Sequence, residues 1–481
     1  MPEIDNIFEL IQSLDQSEKR HFKIYAKRHV LKGENQYLRL FDILCELKTY
    51  NEAEIKKRLG NTLFAQNLSS SKNYLYNLLL KSLRAYHAGK TIRTNLHELW
   101  LDTNLLIEKG LLKQAAKLIR KAKKLAIQYH YDIPLQEILL MERKLIRRYA
   151  SNRANELILE SQQQSAAAHR RTGYHLKMLD LYEKIFLNYR NLNEARQSLL
   201  ETVNQAAQVA QVAQQDELPF EATMAYHYLC FYSANLVRDY EKANYHLKEL
   251  IALQEMNPVL IEEDQERYVN TLNNYLNNCF NLKQMEEFFP ILQKMQAIQS
   301  KSFNIQSIIF NHVYYLKMLY YLVRQEYREV IAMVPAVEEG LHTYAANITK
   351  SRQLTFFYNI AIAFFLEKDY QSALQWINRI LNEPRLEERQ DIQSQARIFQ
   401  IVLHYELGNQ GVVEYLIESA NRYLRRKDKK QSAEYLIANS LKQALYADKA
   451  KGKTIFEKLA HDLEDMKGLE EIKIWVASKQ G

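Results

Sequence analysis

The chain has 481 residues, of which only 11 are glycine and 7 are proline. Hairpins, glycine-rich phosphate loops and long irregular connections depend on these two residues, so their scarcity excludes a β-rich fold and predicts an all-α protein. Hydrophobic residues make up 47% of the sequence and charged residues 25%, with a net charge of +8, so the chain can bury a sizeable core and need not be disordered.

Residues 1–95 are predicted to form a small basic helical domain. The chain starts without a basic patch followed by an apolar stretch, so we expect no secretory or transit signal and a cytoplasmic location. Asp15 and Glu18 have the spacing of a capping box that opens a helix with Phe22, Tyr25 and Ala26 on one face. Further helices are predicted over 35–48, 51–59 and 70–86.

The helices predicted over 51–59 and 70–86 have the order of a helix-turn-helix, with Lys72, Asn73 and Tyr76 early on the second helix. Their connection is longer than the usual turn of about three to four residues, so DNA reading is not favoured. The first 150 residues carry a net charge of +11 and the remainder −3. This asymmetry is expected of a chain that meets nucleic acid or an acidic partner at one end, or of solvated helix faces.

A short pattern recurs over residues 96–430 and predicts helical hairpins. A polar turn is followed by an aromatic or aliphatic residue, two polar residues and an apolar anchor, with further apolar residues four and seven positions later. The eight anchors are Ala115, Leu157, Ala195, Ala243, Phe288, Val330, Ala373 and Val413. Their intervals are 42, 38, 48, 45, 42, 43 and 40 residues, which indicates about eight copies of one unit. One hairpin cannot bury both faces, so neighbours must stack into a superhelix with a concave surface, closed by capping helices over 431–481.

A basic stripe is predicted on the second helix of the first hairpin. Its members are Lys113, Lys117, Arg120, Lys121 and Lys124. Their spacing suits contact with a phosphate backbone or an acidic partner. The outer, solvated face of the array is the favoured interpretation, because no aromatic or glycine-rich nucleic-acid motif accompanies the stripe.

The turn motif resembles that of the tetratricopeptide repeat, in which a Gly or Asp turn, an aromatic residue and a small anchor introduce the second helix. Its clearest copies end at Ala115, Ala243 and Ala373. The repeats are longer than the standard 34 residues, and the tryptophan and glycine of the first helix are mostly absent. The resemblance implies an α-solenoid whose concave groove holds a peptide or a partner helix.

One helical segment, 269–282, is unusually rich in asparagine. Asn270, Asn273, Asn274, Asn277 and Asn281 fall within one sector of about 100° on the predicted helix. Asparagine is a mediocre helix former, and its carboxamide can pair with both the N–H and the C=O of an extended peptide. The alternative is that these side chains are solvated or bonded between helices. The tetratricopeptide resemblance implies further groove positions at Tyr228, Tyr232, Asn235, His312, Tyr315 and Tyr358.

Enzymatic and metal motifs are not found. Cys45, Cys230 and Cys279 form no Cys-x-x-Cys pair, the histidines include no His-Glu-x-x-His, and no Gly-x-Ser-x-Gly is present. The acidic run at 262–266 is interpreted as the first turn of a helix that begins after Pro258, where negative charge is favoured. We therefore expect no catalytic residue, metal or cofactor.

The sequence thus predicts a non-enzymatic scaffold or adaptor that holds a protein or peptide in the groove, without membrane insertion. The first alternative is a repeat regulator whose basic N-terminal domain binds nucleic acid. The second, which the resemblance implies, is a peptide-controlled phosphatase built on similar repeats. The partner, the oligomeric state and the exact repeat register stay open.

Overall fold

The computed structural model describes residues 5–27, 35–47, 49–60, 62–148, 153–190, 196–213, 218–345, 347–383, 389–426, 432–466 and 469–480. These residues form 26 helices and no strand, which confirms the all-α prediction over this part of the chain. The chain divides into two compact units, Met1–Gln306 and Ser307–Gly481. The predicted division near residues 95 and 430 stays a prediction. Within the described ranges, each helix is too short or insufficiently apolar to cross a membrane.

Six helices form the beginning of the first unit: α1 (Asn6–Ser13), α2 (Gln16–Lys27), α3 (Gln36–Glu46), α4 (Glu52–Leu59), α5 (Leu63–Gln66) and α6 (Leu68–His87). The predicted capping box is confirmed, because the Asp15 N–H donates to Glu18 Oε2 at 2.9 Å and the Glu18 N–H donates to Asp15 Oδ1 at 2.7 Å. Phe22 and Ala26, which lie on the predicted apolar face of α2, are buried. The short α5 lies inside the connection that the sequence predicts as a loop.

The rest of the first unit contains α7 (Ile92–Glu108), α8 (Leu112–Gln128), α9 (Asp132–Arg148), α10 (Ala154–Arg190), α11 (Arg196–Ala213), α12 (Phe220–Leu236), α13 (Tyr240–Glu255), α14 (Pro258–Glu263), α15 (Gln265–Leu282) and α16 (Phe288–Ala297). Sequence neighbours pack as pairs, α7 along α8 and α12 along α13. The long α10 packs along both α9 and α12.

The second unit contains α17 (Phe303–Val323), within which the boundary falls, α18 (Tyr327–Ala332), α19 (Val334–Thr343), α20 (Lys350–Leu366), α21 (Tyr370–Asn382), α22 (Gln390–Glu406), α23 (Gln410–Arg426), α24 (Ala433–Ala444), α25 (Lys449–Leu463) and α26 (Glu470–Ser478). Here too the neighbours α20 and α21, and α22 and α23, pack against each other. Its core includes Phe356, Phe399 and Trp376.

One turn geometry recurs between packed helices. A left-handed residue ends the first helix, and the N–H of the next residue donates to the carbonyl five positions before it, as in a Schellman motif. The left-handed residues are Gly110, His130, Arg238, Lys283, Gln325, Lys368 and Gly408. From Arg238 onward they are 45, 42, 43 and 40 residues apart, the same intervals as those between the predicted anchors. The sequence repeat therefore corresponds to a repeated turn.

The anchors follow these turns by five residues and are buried where the turn is present. Ala115, Ala243, Phe288, Val330, Ala373 and Val413 are all fully buried. Leu157 is instead 38% exposed and lies on the 37-residue α10. That anchor is wrong, because α10 is one continuous helix with two packing partners. Ala195 lies outside the described residues.

The α12–α13 pair contains two histidines in direct contact. Nδ1 of His227 lies 3.0 Å from Nδ1 of His246, so one nitrogen must donate and the other accept. Burial, followed by the neighbouring His227 and Lys242, lowers the pKa of His246 to about 4. Burial also lowers the pKa of His227, against the opposing influence of Glu249. The folded chain thus favours neutral imidazoles at this contact.

Acidification is therefore expected to destabilise the first unit through His246. The pKa of His246 is near 6.5 in the unfolded chain and about 4 in the folded chain. Its contribution to the free energy of unfolding is therefore complete above about pH 6.5 and is lost as the pH falls towards 4. Between about pH 7 and about pH 5, the free energy of unfolding of the wild type should fall by roughly 1 to 2 kcal/mol more than that of His246→Gln. Urea denaturation at each pH measures the difference; parallel pH profiles would contradict the assignment.

Candidate functional site

Two adjoining cavities lie in the first unit, each with a volume of about 570 Å³. The aromatic cavity lies between α10, α12 and α15, and its principal lining residues are Tyr182, Phe186, Tyr228, Tyr232, Arg267 and Asn270. The acidic cavity lies beside the N-terminal ends of α7, α9 and α12, and its lining includes Arg93, Asp132, Glu137, Glu221, Glu263 and Asp264. The two cavities share His175, Glu221, Asp264 and Arg267. The two cavities therefore share part of their lining, and we refer to them together as the recess.

Helical periodicity explains the aromatic wall. Tyr182 and Phe186 are four residues apart on α10, and Tyr228 and Tyr232 are four apart on α12, so each helix presents a pair on one face. The Tyr182 ring centroid lies 6.1 Å from that of Tyr228 and 5.9 Å from that of Tyr232. The Phe186 and Tyr232 centroids are 6.0 Å apart. The four rings form a connected cluster.

The phenols of this wall stay neutral near pH 7. Burial raises the pKa of Tyr228 to about 12, although a hydrogen bond with Thr271 acts in the opposite direction. The Tyr228 hydroxyl and the Thr271 Oγ1 are 2.6 Å apart. Burial, followed by the neighbouring Tyr232 and Tyr228, raises the pKa of Tyr182 as well. The wall thus offers π faces without negative charge.

The opposite wall is polar and comes from α15. Arg267, Asn270 and Asn274 line the cavity at helical spacing. The Arg267 guanidinium donates to both carboxylate oxygens of Glu221, at 2.6 and 3.2 Å, and its Nε lies 3.2 Å from Asp264 Oδ2. Two carboxylates therefore already compensate this cation.

Glu263 connects three elements at the acidic cavity. Its carboxylate accepts hydrogen bonds from the Tyr131 hydroxyl and from the Ile92 N–H at the start of α7. Burial, followed by the hydrogen bond to Glu263, raises the pKa of Tyr131, so the phenol remains a donor. A negative charge beside the first turn of α7 is favourable.

Asp132 is the first residue of α9 and is only 8% exposed. Its carboxylate accepts from Arg171 Nε at 3.0 and 3.1 Å, and Arg171 Nη2 also contacts Oδ1. This pair fixes the N-terminal end of α9 against the middle of α10.

The recess is acidic although the chain is basic. Six carboxylates line it against two guanidinium groups: Asp132, Glu137, Glu221, Glu263, Asp264 and Glu266 against Arg93 and Arg267. Counting Arg171, which pairs with Asp132 from outside the lining, three negative charges remain uncompensated. The interior is therefore opposite in sign to the chain's net charge of +8.

The predicted groove residues of the first unit are distributed over several environments. Tyr228, Tyr232 and Asn270 line the aromatic cavity, together with Asn274. Asn273, Asn277 and Asn281 are not among its lining residues; Asn277 Nδ2 donates to the Asn273 carbonyl at 2.8 Å within α15. Asn235 is half-buried near the end of α12, away from the lining. The asparagine stripe is thus only partly brought to one surface.

The predicted groove residues of the second unit are engaged internally. The Arg352 guanidinium lies over the Tyr315 ring at 4.6 Å, and burial, with Arg352 nearby, lowers the pKa of His312 to about 4. Tyr358 is 9% exposed and its hydroxyl donates to Glu471 Oε1 at 2.6 Å. Because its hydroxyl is bonded inside the unit, Tyr358 is not available to line an open groove.

The predicted N-terminal contacts also have partners within the chain. Lys72 Nζ bonds to the Asp5 carboxylate, lies 2.7 Å from the Tyr50 hydroxyl and lies 3.7 Å from Glu52. Asn73 and Tyr76 line the same depression, whose charged groups are Asp5, Glu52 and Lys72. The charged groups of this depression are thus two carboxylates and one ammonium group.

The basic stripe on α8 is exposed as predicted. Lys113, Lys117, Arg120, Lys121 and Lys124 are all exposed, and none forms a salt bridge with another described residue. The neighbouring Lys123 is half-buried and pairs with Glu142 at 2.9 Å. The stripe is available to an acidic partner, whereas Lys123 belongs to the α8–α9 contact.

Sequence reasoning missed the acidic lining. The run at 262–266 is interpreted as the first turn of a helix, and this holds for α15: Asp264 caps it by accepting from the Arg267 N–H, and Glu266 lies in its first turn. Glu263, in contrast, ends α14. What the interpretation missed is that Glu263, Asp264 and Glu266 also line the cavities. Tyr182 and Phe186 were also missed; their i, i+4 spacing is the only local signal they carry.

Within the described residues, no group of three or more His, Cys, Asp or Glu side chains is arranged to hold a metal ion. No protein-family model matches the chain, and no curated protein matches its sequence.

Proposed function

We propose that the protein is a non-enzymatic scaffold of tetratricopeptide-like helical repeats that binds an extended peptide segment of a protein partner in the recess of its first unit. The observation that carries the proposal is the aromatic cavity, where rings from α10 and α12 face carboxamides from α15. Peptide sites of this size combine an apolar wall for side chains with a few polar groups for the backbone.

The repeated turn supports the tetratricopeptide-like part of the proposal. From Arg238 onward, left-handed residues recur at 40- to 45-residue intervals and each is followed by a buried anchor, as expected of one supersecondary unit copied along the chain. Asn270 is exposed and Asn274 half-buried, so both carboxamides are accessible to an extended backbone. Each can donate and accept, without requiring a particular peptide sequence.

The exposed basic stripe on α8 favours a second candidate function, a repeat regulator that contacts nucleic acid. Five exposed cations on one helix can follow a phosphate backbone, and such binding is strongly salt-dependent. This candidate concerns the outside of α8 and does not involve the acidic recess.

The test is selection of random-sequence peptides on the immobilised full-length chain, followed by fluorescence anisotropy with the enriched peptides. Asn270→Ala combined with Asn274→Ala should weaken binding about tenfold, because two amide contacts of roughly 0.5 to 1.5 kcal/mol each are lost. Asn277→Ala combined with Asn281→Ala is the matched control on the same helix and should bind like the wild type.

Failure to enrich any peptide, or equal binding by both double variants, would overturn the proposed function. Mixed-sequence DNA and RNA are assayed in parallel. Retention of nucleic acid that falls with added salt, without peptide binding, would replace the first candidate with the second.

A further inference from the structure

The aromatic cavity has a defined chemical preference because its rings and charges lie together. Its charged lining residues are Glu221, Asp264, Glu266 and Arg267, three carboxylates against one guanidinium. Arg267 is engaged by Glu221 and Asp264, and Glu266 is exposed without a salt bridge to a described residue. An anionic ligand would meet net negative charge, whereas a cation would be attracted.

The rings supply a second, independent attraction for a cation. Neutral aromatic faces attract ammonium and guanidinium groups within about 6 Å of the ring centroid. Here the rings of Tyr182, Phe186, Tyr228 and Tyr232 adjoin one another at centroid separations of 5.9 to 6.1 Å. A ligand in the cavity therefore meets several aromatic rings at once.

We infer that the aromatic cavity recognises a lysine or arginine side chain of the bound peptide, an inference that rests on the proposed function. The aliphatic stem packs on the rings, as the stems of long cationic side chains do on apolar surfaces. The charged end lies towards Glu266 and Asp264, both of which are exposed. Asn270 and Asn274, on the same face of α15, then contact the peptide backbone.

The volume of the cavity is sufficient for a long side chain together with the peptide backbone beside it. About 570 Å³ lies within the range of pockets that enclose small organic groups. The acidic cavity continues beyond Glu221 and Asp264 and adds Glu137 and Glu263 to the negative field. Peptides with acidic residues at the same position are disfavoured by that field, which gives specificity by repulsion as well as attraction.

The experiment uses pools of random-sequence peptides with one fixed central residue: Lys, Arg, Gln or Glu. Each pool is passed over the immobilised full-length chain, and the retained fraction is measured. We expect the Lys and Arg pools to be retained about tenfold more than the Gln pool, and the Glu pool least. Asn270→Ala combined with Asn274→Ala should lower retention of every pool.

Charge reversal identifies the cavity as the origin of this preference. Glu266→Lys should reduce retention of the Lys and Arg pools to that of the Gln pool. Glu262→Lys is the matched control, since it makes the same charge change at an exposed residue outside the cavity lining. Circular dichroism confirms that both variants are folded.

The outcomes separate the two proposals. Equal retention of all four pools, with loss in the asparagine double variant, would overturn the inference and leave the proposed function standing. A Lys and Arg preference that Glu266→Lys leaves intact, or that Glu262→Lys also removes, would likewise overturn the inference. If no pool is retained, both fail.

Discussion

Replacing Trp475 by alanine is expected to lower the free energy of unfolding of the second unit by about 3 to 5 kcal/mol. Trp475 is 4% exposed on α26, and its ring lies 5.5 Å from that of Phe456 and 6.2 Å from that of Tyr405, measured between centroids. Its indole N–H donates to Glu406 Oε1 at 2.9 Å. Truncation therefore removes a large apolar surface and a hydrogen bond to a half-buried carboxylate.

Urea denaturation monitored by circular dichroism measures this loss. Trp475→Phe is the matched variant, because it keeps a ring against Phe456 while removing the indole donor. Glu406 retains Lys479, whose Nζ lies 2.7 Å away, so the phenylalanine variant should lose only about 1 to 2 kcal/mol. Equal losses in the two variants would mean that the hydrogen bond, and not ring packing, holds α26 in place.

Local features of the fold were predictable because their signals lie within a few residues. The Asp15–Glu18 capping box spans four residues, and the turn at Lys368 precedes Ala373 by five. In both cases, the residues that form the sequence pattern are the same residues whose contacts determine the local backbone geometry. The anchor predicted at Leu157 is wrong because no local signal determines the structure there. The continuation of α10 depends on its packing on α9 and α12 and not on the local pattern.

The candidate site was only partly predictable because its contacts join distant parts of the chain. Glu263 bonds to Tyr131 and to Ile92, which are separated from it by 132 and 171 positions. From the neighbouring sequence alone, the Glu263 carboxylate is interpreted as part of the first turn of a helix. Lys72 is similar: its basic character was visible, but Asp5, its partner, lies 67 positions away.

The asparagine segment shows where helical periodicity stops being informative. Periodicity correctly gathers the residues on one side of α15, but that side meets several neighbours. Asn270 and Asn274 line the cavity, while the adjacent Asn278 is buried and donates to the Tyr240 carbonyl at 3.0 Å. Helical periodicity predicts the side of the helix on which a side chain lies. The function of that side chain depends on which other element packs against that side.

The charge of the chain and the charge of its recess have opposite signs, and this bears on how a partner is selected. A net charge of +8 alone favours an acidic partner. Close to the recess, however, the carboxylates are nearer to any ligand than the exposed cations of α8 are, and Coulomb attraction falls with distance and with salt. Contacts inside the recess are therefore expected to favour basic groups, and contacts on α8 acidic ones.

The Asp132–Arg171 pair is the contact of the recess whose disruption should cost most. Arg171→Met keeps most of the aliphatic length but leaves a carboxylate that is 8% exposed without its partner. The free energy of unfolding should fall by about 3 to 5 kcal/mol, since a buried charge that loses its counter-ion bears the full desolvation penalty. Urea denaturation at neutral pH provides the measurement.

Asp132→Asn is the informative comparison, because the charge left behind is then Arg171, which is 25% exposed and can reach water. The free energy of unfolding of the Asp132→Asn variant should therefore fall by less, about 1 to 2 kcal/mol. Combining Asp132→Asn with Arg171→Met should restore much of what Arg171→Met loses, because the double variant no longer buries a charge. If the loss in the double variant equals the sum of the losses in the two single variants, the Asp132 carboxylate is solvated in the folded protein. Asp132 then belongs to the open surface of the acidic cavity and does not fix α9 on α10.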